Sequence, residues 1–141
     1  MALAAPVYLV DKSALARLSK PAIAAVLGPL LTSGQVAACG VLMLEVLYSA
    51  RSFEDFVRTR RRLAGLPAVR EQPVDFDRAM DVLERLAERG QHRAARLPDL
   101  LLAAVAEREG LTLLHYDGDY DLIAAVTNQP TRWVVPRGSV P

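Results

Sequence analysis

The chain has 141 residues, 52% of them hydrophobic, with 17 basic against 16 acidic side chains and a formal net charge of +1. That length suits one domain with a real core, here residues 1–141 with the core over about 7–135, and the apolar content excludes an intrinsically disordered chain. The longest apolar run, Leu100 to Ala106, is far too short to cross a bilayer.

A lone cysteine, Cys39, cannot form an internal disulfide, so a reducing cytoplasm is the expected compartment. Cys39 sits in an apolar stretch and reads as a small core residue. The N-terminal Met-Ala-Leu-Ala-Ala-Pro has no basic segment ahead of its apolar residues and makes a poor signal peptide.

In chain order, Val7 to Val10 is a short apolar run ended by Asp11, the pattern of a central strand buried on both faces. Ser13 is placed to cap a helix over Ala14 to Leu18. Pro21 opens a second helix to about Leu31, stopped by Ser33-Gly34. Val36 to Cys39 is a second strand. Gly40 then leads into Val41 to Tyr48, an apolar helix holding one acid, Glu45. Ser52 to Ala64 is an arginine-rich helix with Phe53, Phe56, Val57 and Leu63 as its expected inner face. Pro67 to Glu71 reads as a short edge strand. Asp75 to Arg89 is amphipathic, with Phe76, Ala79, Met80, Leu83 and Leu86 at helical spacing.

Gly90 to Arg96 is a basic loop. Pro98 and Asp99 then open an apolar helix to Glu109, ended by Gly110. Leu111 to His115 is a strand, Asp117-Gly118-Asp119 a turn, Tyr120 to Val126 a helix, and Thr131 to Val135 a last strand. Val135-Pro136-Arg137-Gly138-Ser139 resembles a protease-cleavage scar, but it runs straight on from the Trp133 strand and reads as native. Strands alternating with helices predict a three-layer α/β/α fold around a mostly parallel sheet. Ligand sites in such sheets lie beyond the carboxyl ends of the strands.

Four acidic positions stand where acids are costly: Asp11, Glu45, Asp99 and the Asp117/Asp119 pair each adjoin an apolar strand or lie in an apolar helix. Each alone has a plain reading, as a helix cap for Asp99 or a turn for Asp117 and Asp119. Together they suit a divalent cation. Asp117-x-Asp119-x-Asp121 is not a calcium loop, because Leu122 and Asn128 stand where that loop needs glycine and glutamate. Asp121 falls on the helix after the turn, facing away. His92 and His115 lack zinc spacing, and His115 reads as structural. Carboxylates without His or Cys favour Mg²⁺ or Mn²⁺, ions that serve phosphoryl chemistry. Of the 17 basic residues only Lys12 and Lys20 are lysine. Arginine matches phosphate geometry, so a nucleic-acid backbone is the expected substrate.

At this point a resemblance becomes specific. Asp11-x-Ser13 after a strand, Glu45 in an apolar helix, Pro98-Asp99-Leu-x-x-Ala-Ala-x-Ala106, and Leu-Leu-His-Tyr-Asp117-x-Asp119-Tyr120-x-x-Ile123-Ala resemble a PIN domain of the VapC ribonuclease toxin type, from Tyr8 to about Val135. The resemblance implies an Mg²⁺- or Mn²⁺-dependent endoribonuclease, a homodimer and a small antitoxin partner. It assigns Asp11, Glu45, Asp99 and Asp117 to an acidic quartet, with Asp119 an added acid and Ser13 at a Ser/Thr position. In this reading Asp11 and Asp99 are the main metal ligands and Asp117 or Asp119 completes the set. Glu45 handles the water and Ser13 orients a phosphate. Lys12, Arg93, Arg96 and the Arg58–Arg62 cluster are candidates for RNA contact, although Lys12 departs from the usual small or neutral residue. Two alternatives are a housekeeping PIN nuclease and a PIN-like module that binds without cutting.

Overall fold

The computed structural model describes residues 5–141; the first four residues, part of the stretch read above for a leader, lie outside it. Its elements are β1 (Tyr8–Val10), α1 (Lys12–Leu15), α2 (Pro21–Thr32), β2 (Val36–Ala37), α3 (Gly40–Tyr48), α4 (Phe53–Ala64), α5 (Pro73–Glu88), α6 (Leu97–Glu109), β3 (Thr112–His115), α7 (Asp119–Thr127) and β4 (Thr131–Trp133). The sheet has the order β2-β1-β3-β4, and every pairing is parallel. The three-layer α/β/α reading therefore holds. The two central strands read as continuous apolar runs because both their faces are covered: Leu9, Val10, Leu113 and Leu114 have no solvent exposure. Among the described residues no helix is long and apolar enough to cross a membrane.

Local chemistry explains several boundaries and corrects others. Asp11, not Ser13, caps α1: its Oδ2 accepts the Ser13 N–H at 2.9 Å. The helix is correspondingly shorter than predicted, ending at Leu15. The expected edge strand over Pro67 to Glu71 shrinks to one parallel bridge between Ala38 and Ala68. Glu71 serves instead as a remote cap on α3, accepting N–H bonds from Gly40 at 3.0 Å and Val41 at 2.6 Å. Gly40 lets the carboxylate come this close: a Cβ there would lie 2.9 Å from Glu71 Oε1 and push the Glu71 side chain aside. Gly110 ends α6 as predicted, in the left-handed region at φ 68°.

The expected inner face of α4 is corrected, and the apolar set of α5 proves to be divided. In α4 only Leu63 is buried, while Phe53 is 81% exposed and Val57 lies at the surface. In α5 Phe76 and Met80 are exposed, and the buried side chains are Asp75, Val82 and Leu86. Phe76 and Met80 thus face outward beside Leu97, Val41 and Leu101, which share their groove, while Leu86 of the same apolar set is fully buried. Cys39 is fully buried as expected, and burial pushes its thiol up to about 12.

Asp75 is buried because it is partnered. Arg108 of α6 grips it through Nε at 2.8 Å and a second nitrogen at 3.1 Å, and the Gln72 N–H adds a third bond at 2.7 Å. Burial alone would raise the Asp75 carboxyl; these bonds outweigh it and hold the group below its ordinary value. The clamp ties α5 to α6, the helix that carries Asp99. Replacing Arg108 with alanine leaves a buried carboxylate alone and should cost about 3 kcal/mol in urea unfolding at pH 7. The contribution exists above the unfolded carboxyl pKa of about 3.9 and is lost as pH falls below it. An Arg108→Ala protein within 0.5 kcal/mol of wild type would exclude the clamp as a stabilising contact.

Candidate active site

The site follows from the directions of three elements. β1 and β3 are parallel neighbours, so Asp11 and the His115-to-Asp119 turn leave the sheet at the same edge. The Asp11 N–H still donates to Leu114 O at 2.9 Å, which fixes the two exits side by side. α6 leads into β3 through Gly110 and so runs back across the sheet. A 13-residue helix spans about 20 Å, which returns its first turn, with Asp99, to the carboxyl edge. α3 follows β2 and brings Glu45 in from the other side.

The carboxylates converge. Ligand oxygens of Asp11, Glu45 and Asp99 lie within 4.8 Å of one another, and so do those of Asp99, Asp117 and Asp119. Asp99 belongs to both sets. A cleft of about 250 Å³ is lined by Asp11, Lys12, Ser13, Glu45, Arg96, Asp99 and Asp117, with Arg17 and Tyr116 at its rim.

The acids differ in how they are held. Asp11, 4% exposed, is bonded at both oxygens: Ser13 N–H to Oδ2 and the Tyr120 hydroxyl to Oδ1 at 2.7 Å. Asp117 Oδ1 accepts the Asp119 N–H at 3.0 Å, closing the turn, and its Oδ2 lies 3.9 Å from Arg96. Asp119 Oδ2 accepts the Arg96 N–H at 3.1 Å. That last bond matters for Asp99. An acid in the third helical position ordinarily folds back onto the N-cap N–H, but Asp119 already occupies the Arg96 N–H. Asp99 is therefore not the cap, and its Oδ2 is buried without a hydrogen-bond partner among the described residues. Burial first, then a hydrogen bond shared with Asp119 and the charges of Asp11, Asp117 and Asp119, push the Asp99 carboxyl up to about 8. Glu45 is also raised, by burial and then by Asp11, against the pull of Lys12 and Arg96.

His115 is structural, as its spacing suggested. It has no solvent exposure, and its Nδ1 accepts the Asp117 N–H at 3.1 Å, which anchors the acidic turn. Burial pulls it down to about 4, so it is neutral. Ser13 Oγ accepts the Tyr116 N–H at 2.8 Å, joining α1 to the same turn and leaving its own proton to donate. Arg93 does not line the cleft, and Arg58 and Arg61 line a separate depression on α4 with Phe53 and Val57. Asp121 is exposed and away from the acids, as expected, but not idle: it accepts from Trp133 Nε1 at 3.1 Å and faces Arg137 at 3.7 Å. Arg17 carries no sequence signal. Tyr116 and Tyr120 stand in the motif around Asp117 and Asp119 but had no role assigned from sequence, and the hydroxyl of Tyr120 acquires meaning only through its position against Asp11.

The arrangement has known counterparts. A PIN-domain family profile matches residues 5–126. Two Mycobacterium tuberculosis proteins are similar over nearly their full length. Ribonuclease VapC51 is 43% identical over 133 residues, 94% of this chain and 96% of that protein. Ribonuclease VapC21 is 45% identical over 134 residues, with the same shares covered. Among solved structures, a DNA-bound VapBC from Salmonella typhimurium superposes with a TM-score of 0.74 at 12% identity, over 92% of this chain and 99% of that one. A toxin-antitoxin complex from Klebsiella pneumoniae superposes at 0.71 with 18% identity, over 91% and 98%. The fold, the profile match over most of the chain and the identity to the two ribonucleases agree: this chain belongs to the PIN-domain family, among its VapC-type members.

Proposed function

We propose that the protein is a toxin of the VapC type: an endoribonuclease that cuts RNA phosphodiester bonds with the help of Mg²⁺ or Mn²⁺, acts in the cytoplasm, and is neutralised by a cognate antitoxin. The observation that carries the reading is the buried, unpartnered oxygen of Asp99 among four other carboxylates. Such a group is costly unless a cation completes it, and an all-oxygen set suits a hard ion. Asp11 and Asp99 would hold the ion, with Asp117 and Asp119 beside Asp99. When bound, the ion supplies Lewis-acid activation of water and neutralises charge on the phosphate.

The chain's own residues do the rest. Glu45 has a raised carboxyl next to Asp11, and in its ionised form accepts the proton of the attacking water. Ser13 donates its free hydroxyl proton to a phosphate oxygen. Lys12 and Arg96, on the cleft wall, meet the RNA backbone. Arg93 and the Arg58–Arg62 cluster have no place in the cleft and are left out of the catalytic set. The similar Klebsiella structure is a toxin-antitoxin complex, which supports an antitoxin partner. The outward stripe of Phe76, Met80 and Leu97 supports a homodimer through α5 and α6.

Three measurements test the proposal. Purified protein should cleave RNA with Mg²⁺ or Mn²⁺ and stop in EDTA, and Asp99→Asn should lower the rate by about 100-fold or more, the upper range for disturbing a ligand shell. Undiminished cleavage in EDTA would overturn the metal mechanism. Sedimentation at tens of micromolar should give a dimer, and Met80→Asp a monomer; a monomeric wild type removes the dimer.

The third measurement concerns stability. Without metal the folded protein binds a proton at Asp99 up to about pH 8, while the unfolded chain releases it near 3.9. The folded state holds more protons in that window, so stability in EDTA should fall as pH rises from about 4 to 8. Asp99→Asn should flatten this slope and raise stability at pH 7.5 by about 1 kcal/mol. Saturating Mg²⁺ should shrink or reverse the advantage. Asp121→Asn should do neither. If Asp99→Asn destabilises in EDTA, its carboxylate is structural.

A further inference from the structure

Tyr120 is the largest fully buried side chain and the first core residue of α7. Its ring packs against His115 with centroids 4.8 Å apart, so an apolar ring would satisfy the packing equally well. Its hydroxyl is what packing does not explain. That hydroxyl reaches across 109 residues to Asp11 Oδ1 at 2.7 Å, and Asp99 adjoins it too. With Ser13 N–H on Oδ2, Asp11 has one donor on each oxygen. Two donors at opposite ends of a carboxylate fix its plane and stop it turning about its Cβ–Cγ bond. Each oxygen keeps a lone pair for the cleft. Asp99, equally buried at 4% exposure, has no comparable restraint on Oδ2.

We propose that Tyr120 is a positioning residue: its hydroxyl holds the Asp11 carboxylate in a fixed orientation toward the cleft, so that Asp11 is a pre-oriented ligand and Asp99 the adaptable one. The inference rests on the divalent-cation reading above. The physical logic is that of hydrogen bonds behind metal ligands in general, which spare the ligand its rotational entropy at the moment of binding. The phenol has no second proton for Asp99 while its one proton is donated to Asp11, so it restrains one acid and not the other.

Tyr120→Phe keeps the ring and removes the donor. Titration of Mn²⁺ into the metal-free protein, followed by electron paramagnetic resonance of the free ion, should show affinity about tenfold weaker than wild type. RNA cleavage at saturating Mn²⁺ should recover most of its rate. A purely structural role predicts the opposite pattern, a lower melting temperature in EDTA with unchanged Mn²⁺ affinity, and that result overturns the inference. If the wild type itself takes up no Mn²⁺, the cation reading fails and takes this inference with it; equal binding by wild type and variant removes the inference alone. Should the variant not fold, the wild type still decides. The buried Tyr120 hydroxyl proton should shift in proton NMR on saturation with Mg²⁺, and a resonance that saturating Mg²⁺ leaves unmoved overturns the proposal.

Discussion

Mutual repulsion among carboxylates at one edge of a parallel sheet is the constraint around which this molecule is arranged. Five acids meet where β1 and β3 end, and Asp99 lies within ligand distance of the other four. In water such a group would separate. Here the chain exits hold it together, because parallel pairing of β1 with β3 and the return of α6 leave no room to spread. Burial first, and then the neighbouring acids, push the Asp99 carboxyl up to about 8, and burial followed by Asp11 raises Glu45 as well.

The fold manages the repulsion by giving most of the acids a second, local task. Asp11 caps α1, Asp117 closes the turn before α7, and Asp119 takes the N–H that starts α6. These bonds orient the carboxylates while stabilising the elements that carry them, so site and scaffold share the same contacts. His115 and Ser13 belong to the same scheme. One accepts the Asp117 N–H and the other the Tyr116 N–H, pinning the acidic turn to the sheet and to α1. Glu45 and Asp99 have no such task, and of the two only Asp99 is nearly fully buried. It is released from capping by Asp119 and left with an oxygen that nothing in the described chain satisfies.

A second group of features faces away from the cleft. The Asp75–Arg108 clamp fixes α5 on α6, and in doing so turns Phe76 and Met80 outward beside Leu97. An acid occupies the buried stripe that an apolar residue would ordinarily take, and the helix is rotated accordingly. Of the apolar residues at helical spacing on α5, Leu86 is buried, whereas Phe76 and Met80 stand at the surface.

The sequence alone determined the order of elements, the parallel α/β class and the identity of the acids. Those depend on local signals: apolar runs of strand length, proline at helix starts, glycine at helix ends, and carboxylates in otherwise apolar surroundings. Even the resemblance to the PIN family was legible, since its motifs are short and fixed in order. What only the tertiary structure decided was anything that joins distant residues. Glu71 read as strand but caps α3 from 31 residues away. Tyr120 read as the start of a helix but carries the hydroxyl that donates to Asp11, 109 residues earlier. Arg93 and Arg96 are near in sequence, yet only Arg96, the residue before α6, lines the cleft. Asp119 and Asp99 each looked like a cap or a ligand, and sequence could not divide the tasks. The division is made by one backbone N–H, that of Arg96, which donates its single proton to Asp119.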